Sequence, residues 1–144
     1  MANVKDDLIA AVTFRADVAL NAKQYYCVAA ASTVNYVKVA TGGSNPVPIG
    51  IVQDDTATSI GMPVEVKCWG FSKAVVAACD CLGGNTCAVG FGDFLHAGSD
   101  GKLYVSGSGN DTVITARAFE TITSGSAIIL VYFMPSPATA CAAS

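Results

Sequence analysis

The sequence is poor in charge, histidine, glutamate and leucine, and it has no long apolar run. Charged residues make up 13% of the chain, against roughly one quarter in an average soluble domain. The eight Lys and Arg are scattered singly, at Lys5, Arg15, Lys23, Lys38, Lys67, Lys73, Lys102 and Arg117, and eleven Asp and Glu bring the net charge to −3. No basic stripe is present to neutralise phosphates, so nucleic acid is not an expected partner. An anionic bilayer surface likewise finds nothing to grip. The longest apolar run, Ala127 to Met134, is of strand length and falls far short of the about eighteen residues that span a bilayer, so no membrane is expected either. The N-terminal MANVKDDLIAAV places Asp6 and Asp7 where an export signal needs an unbroken apolar stretch, and synthesis in a cytoplasm follows as the expectation.

Catalytic groups are equally sparse. The one histidine, His96, sits in a strand pattern before an Asp-Gly turn, and a lone imidazole neither makes a metal site nor supplies a relay by itself. Pairing it with Cys87 as a nucleophile finds no flanking sequence in support. With only two glutamates, Glu65 and Glu120, a glycosidase pair would have to come from loop aspartates. Asp6-Asp7 and Asp54-Asp55 are adjacent in sequence, so on a strand they face opposite ways, and turn chemistry accounts for them. Gly90-Phe91-Gly92 and Gly107-Ser108-Gly109 lack the lysine and the strand-to-helix context of a phosphate loop. The expectation is a chain that is not an enzyme and carries no cofactor.

Six cysteines are present, in a chain too large to need a disulfide framework. Cys27 and Cys68 lie within apolar strand patterns and are expected as buried free thiols. Cys79, Cys81 and Cys87 fall within nine residues of a Gly-rich segment, CDCLGGNTC. Their Cys-x-Cys-x5-Cys spacing matches no standard zinc pattern and offers only three ligands, so a loop disulfide formed in an oxidising medium is favoured over a structural metal.

Strand-forming residues, by contrast, are abundant. Valine and isoleucine together number twenty-five against six leucines, with eleven threonines besides, and these β-branched side chains suit a pleated surface better than a helix. A period of two is read in Val34, Tyr36 and Lys38 set against Asn35, Val37 and Val39, and in Val64 and Val66 set against Glu65 and Lys67. Strands are expected over Ala11 to Ala16, Gln24 to Ala31, Val34 to Ala40, Pro48 to Gln53, Pro63 to Phe71, Ala74 to Ala77, Asp93 to Ala97, Lys102 to Ser106, Thr112 to Ile122 and Ala127 to Met134. Short helical turns have room near Lys5 to Ala11 and Ala74 to Cys79. Gly, Asn, Ser and Pro clusters interrupt the chain every eight to fifteen residues, a spacing that means a small barrel or sandwich. FLHAGSDGKLYV reads as a hairpin turning at Asp100-Gly101. The final strand is apolar on both faces and is expected to be covered on both, by core or by a neighbouring subunit. The single Trp69 is expected in that core; the alternative is a carbohydrate platform shared with nearby Tyr or Phe side chains. An N-terminal arm over residues 1–13, one β domain over 14–134 and a tail over 135–144 complete the division.

The order of these elements resembles the small β-barrel, β-tulip-like cement (head decoration) proteins of tailed bacteriophages. The likeness is carried by an early strand pair over Ala16 to Ala31, then by Pro48-Ile49-Gly50-Ile51-Val52-Gln53-Asp54-Asp55, and by Gly61 to Val66 running into Trp69-Gly70-Phe71. It continues with Gly92-Asp93-Phe94-Leu95 through Asp100-Gly101-Lys102-Leu103-Tyr104, Ala116 to Glu120, Ser124-Gly125-Ser126, and the last strand to Phe133. The resemblance implies a homotrimer at three-fold or quasi-three-fold positions on the capsid surface of a virion, clamping neighbouring major capsid proteins. It implies further that the N-terminal arm, through Asn3, Val4, Lys5, Leu8 and Ile9, adds contacts to the shell. A head fibre base, a tail protein and a carbohydrate-binding β-sandwich are the alternatives.

Overall fold

The β-branched alternation is realised as ten strands among the residues that a computed structural model describes, which are 11–41, 47–78, 88–105 and 114–134. They are β1 (Ala11–Ala16), β2 (Cys27–Ala30), β3 (Tyr36–Val39), β4 (Pro48–Val52), β5 (Pro63–Lys67), β6 (Gly70–Ala77), β7 (Phe94–Ala97), β8 (Leu103–Val105), β9 (Ala116–Ala118) and β10 (Ser126–Phe133). The protein is all-β, and its strands close into two small barrels, β1-β3-β2-β4-β5 and β10-β6-β8-β7-β9. Among the described residues, closure leaves no long sheet edge open to pairing.

The two barrels repeat one topology. In each, the first strand runs parallel to the third and antiparallel to the fifth, the second runs antiparallel to the third and fourth, and the fourth runs antiparallel to the fifth. The repeat extends to the backbone. Residues with positive φ precede equivalent strands: Tyr25 (67°) and Gly92 (90°) before β2 and β7, Asn35 (68°) and Gly101 (81°) before β3 and β8, Gly61 (85°) and Gly125 (69°) before β5 and β10. Tyr25 N–H donates to the Val52 carbonyl at 2.7 Å and Val52 N–H to Tyr26 at 3.0 Å; Gly92 N–H donates to Ala118 at 2.7 Å and Ala118 N–H to Asp93 at 2.9 Å. A side chain is repeated too. The Asp54 carboxylate accepts from the Glu65 N–H, and the Glu120 carboxylate from the Leu130 N–H.

Several sequence expectations are corrected by this arrangement. The strand expected over Pro63 to Phe71 breaks at Cys68 and Trp69, because the chain leaves the first barrel there and enters the second, with Gly70 at a φ of 93° marking the step. Ala74 to Ala77 is strand as expected, the end of β6, and the helical turn given room near Ala74 to Cys79 is not formed among the described residues. Among the described residues the strand expected over Thr112 to Ile122 is confined to β9, and Ile122 is held instead by an isolated bridge to Val89. Residues 11–13, counted with the N-terminal arm, pair with Lys67, Val66 and Glu65 as part of β1. The Asp100-Gly101 hairpin forms as read: β7 pairs with β8, and Gly98 N–H closes on the Lys102 carbonyl at 2.8 Å. The remainder of the arm, the tail and CDCLGGNTC up to Cys87 lie outside the described residues.

Two apolar clusters fill the molecule. Ala16, Leu20, Val28, Val37, Val52, Val64 and Val66 form the inside of the first barrel. The second cluster contains the interior of the second barrel, with Leu95, Leu103, Val131 and Phe133, and takes in Cys27, Ala29, Ala40 and Ile51 from the first. The outer side of β2 and β4 is therefore core, pressed against the second barrel. Backbone bonds stitch the same seam: Val75 N–H donates to the Tyr25 carbonyl at 3.0 Å, and Cys27 N–H to Gly101 at 2.8 Å. Gly101 is needed there twice over, for its φ and because a Cβ would stand 2.5 Å from Val39 Cγ1 and 3.1 Å from the Cys27 carbonyl oxygen. Gln53, on the first barrel, adds a side-chain bond to Ser72 Oγ at 3.0 Å.

Candidate functional site

Strand pairing alone places the most unusual surface of the molecule. In β10 the buried residues are Ile129, Val131 and Phe133, so the alternate positions Ile128, Leu130 and Tyr132 point outward. Ile128 is 54% exposed and Leu130 38%. The final strand was expected to be covered on both faces; the chain itself covers one. Register then aligns the outward residues into a row across four strands, Phe71 opposite Tyr132, Tyr132 opposite Arg117, and Arg117 opposite Phe94.

Aromatic rings knit this row together. Trp69 meets Tyr132 edge-on at 6.1 Å, Phe71 meets Tyr132 and Phe119 at 5.0 Å each, and Phe119 meets Phe91 at 5.4 Å. The Arg117 guanidinium lies 5.1 Å from the centre of the Phe94 ring, a cation–π arrangement, while its Nε donates to the Gly92 carbonyl at 3.0 Å. Trp69 is 55% exposed, which corrects its expected place in the core. Its position at the crossing between barrels puts it outside both interiors.

The repeat provides an internal control for this face. Equivalent hydrogen bonds align Glu65 with Leu130; two residues to either side, Pro63 aligns with Ile128 and Lys67 with Tyr132. On the neighbouring strand, Thr13 faces Glu65 as Lys73 faces Leu130, and Arg15 faces Pro63 as Val75 faces Ile128. The same fold thus carries Pro, Glu, Lys, Thr and Arg on this face in one copy and Ile, Leu, Tyr, Lys and Val in the other. Folding does not require the apolar set. Exposed apolar patches of this kind mark contact surfaces, and aromatic and Arg side chains are the types enriched in protein interfaces.

The other sequence candidates do not converge on it. Asn3, Val4, Lys5, Leu8 and Ile9 lie outside the described residues, as do Cys79, Cys81 and Cys87. His96 is half-buried on β7, with its ring 6.1 Å from that of Tyr104. Asp54 was read as turn chemistry, but its carboxylate accepts from the Glu65 N–H of β5 at 3.1 Å, and Asp55 is exposed. Cys27 is a fully buried free thiol as expected, and burial pushes it up to about 12. Cys68 is only half-buried, its thiol raised by the same cause. No group of three His, Cys, Asp or Glu side chains gathers among the described residues. A cleft of about 390 Å³ opens beside β1, lined by Thr13, Phe14, Arg15, Asn35 and Pro63, with no nucleophile–base pair among them.

Sequence reasoning missed the outward Phe71, Phe91, Phe94, Ile128 and Leu130 as a set. The signal was AIILVYFM, whose two apolar faces cannot both line one small barrel. The repeat was missed as well, though Thr56-Ala57-Thr58-Ser59-Ile60-Gly61 returns as Thr121-Ile122-Thr123-Ser124-Gly125 in equivalent loops.

Comparison with known proteins locates the fold. No protein-family model and no curated sequence matches the chain. Among solved structures, the chain resembles the N-terminal base of the head fibre protein gp8.5 of bacteriophage phi29, with a TM-score of 0.59 at 16% identity, over 86% of this chain and 92% of that one. At that identity the likeness is one of architecture: this chain has the fold of a phage head fibre base.

Proposed function

We propose that this chain is a structural protein of a bacteriophage head, acting by adhesion between protein surfaces and carrying out no bond-making chemistry. The observation that supports this most directly is the architecture shared with a head fibre base over nearly its whole length. The aromatic and aliphatic face of the second barrel supplies a physical means, since it offers buried area without a reacting group. In this reading the partners are the major capsid protein and further copies of the chain, as a homotrimer, with neither nucleic acid nor membrane involved.

Two placements on the head are supported. As a cement protein the chain would clamp neighbouring capsid proteins, burying surface that exists only when capsomers adjoin, so that its affinity adds to shell stability by mass action. Residues Asn3, Val4, Lys5, Leu8 and Ile9 would then add contacts to the shell. As a head fibre base it would seat a projecting structure on the head, a reading the fold likeness supports equally. Cryo-electron microscopy of the virion separates them. Density of this fold at every three-fold and quasi-three-fold position identifies cement; density at the foot of fibres identifies a base. Particles lacking it, together with purified protein that does not bind expanded shells, would overturn both.

A further inference from the structure

The face formed by β6 and β10 calls for a specific occupant, and we propose that this occupant is a second copy of the same chain. The proposal rests on the adhesive reading above and names which surface joins the subunits.

Three observations carry it. The first is the internal control: where the first barrel presents Glu65 and Lys67 to solvent, the second presents Leu130 and Tyr132, so the apolar side chains are there to be covered. The second is charge. Lys73 faces Leu130 from β6, and the Glu120 carboxylate holds the Leu130 N–H from the opposite side. Opposite charges thus flank one apolar centre without pairing to each other, since the ion pair among the described residues is Lys102 with Asp100. A symmetry axis beside Leu130 brings Lys73 of one copy to Glu120 of the next, so the face supplies its own complement. Self-interfaces follow this rule, whereas a shell surface would have to provide both charges independently. The third is solubility. With only 13% charged residues, the chain has little else to keep such a patch apart from its twin, so it is covered as soon as copies meet and before any shell is encountered.

The test is the mass of the purified full chain in solution, by sedimentation velocity over micromolar concentrations, without shells. The wild type is expected at a multiple of 14.6 kDa. The double substitution Leu130→Glu with Tyr132→Lys, which installs the residues the first barrel already carries, is expected to weaken association by on the order of 100-fold or more, with the circular dichroism spectrum unchanged. Should that variant fail to fold, a charge exchange decides: Lys73→Glu alone weakens association, and adding Glu120→Lys restores it. A wild type that is monomeric throughout, or folded variants that associate as the wild type does, overturns the proposal. Shell binding is measured separately, so a monomeric protein that still coats shells would defeat this inference and the homotrimer with it, and leave the adhesive role on the phage head standing.

Discussion

Cys27 shows how much a single residue can reveal about the seam between the barrels. Its side chain is completely buried, its N–H donates to Gly101 across the seam, and its carbonyl accepts from Ala40 N–H at 3.0 Å. Burial in apolar surroundings penalises the thiolate and pushes the thiol from an ordinary value of 9.0 to about 12. In the folded chain the proton is therefore retained between pH 9 and 12, while the unfolded chain releases it. By linkage, a state that binds fewer protons is favoured as pH rises. Cys27 therefore makes stability fall above about pH 9 and has no such effect below it. The expected result is a loss of stability between pH 8 and pH 10.5, by urea denaturation, that is smaller in Cys27→Ala than in the wild type. Equal losses in the two proteins would show that the thiol ionises freely in the fold.

At the scale of elements, the hairpin joining β7 to β8 depends on one carboxylate. Asp100 Oδ1 accepts from the Lys102 N–H at 3.0 Å and Oδ2 from the Tyr104 hydroxyl at 2.9 Å. Asp100→Ala should thus cost about 1–3 kcal/mol, the range for losing two modest hydrogen bonds, read as a lower denaturation midpoint at an unchanged slope. That turn was plain in the sequence because its signal is local: Asp-Gly between two short apolar runs. Most strands were legible for the same reason, since alternation is set within a few residues, but β5 was read on into the first residues of β6, and β9 was read far too long. Whether an outward face is wet is a different question. Alternation places Leu130 and Glu65 identically, and only the tertiary pairing shows that one is an apolar group in solvent. Nor does periodicity tell one barrel from two. The crossing at Cys68 and Trp69 is a change of partner, with Lys67 bonded to β4 and β1 and Gly70 to β10, and no local propensity encodes it. The repeat is faint in sequence because what it preserves is turn geometry and hydrogen bonding, which Tyr25 and Gly92 satisfy with unlike side chains.

On the scale of the whole molecule, the two barrels share topology, but their outer faces have been put to different uses. The β2 and β4 face of the first is buried against the second through Cys27, Ala29 and Ile51; the equivalent β7 and β9 face of the second carries Phe94, His96 and Arg117, with Phe94 and Arg117 exposed. A surface that is core in one copy of the repeat is interface or solvent in the other, which is how a repeated unit yields a finite body and not an open array. The shared cluster makes the barrels interdependent. Ile51 belongs to the first barrel by pairing and to the second by packing, so Ile51→Ala should cost about 2–5 kcal/mol and destabilise both together. Trp69 fluorescence, at the junction, and far-ultraviolet circular dichroism, over all strands, should then report one coincident unfolding transition in the wild type and in the variant. Two separated transitions would mean that the barrels are independent domains in contact, and that burial of Cys27, Ala29 and Ile51 contributes little to holding the chain together.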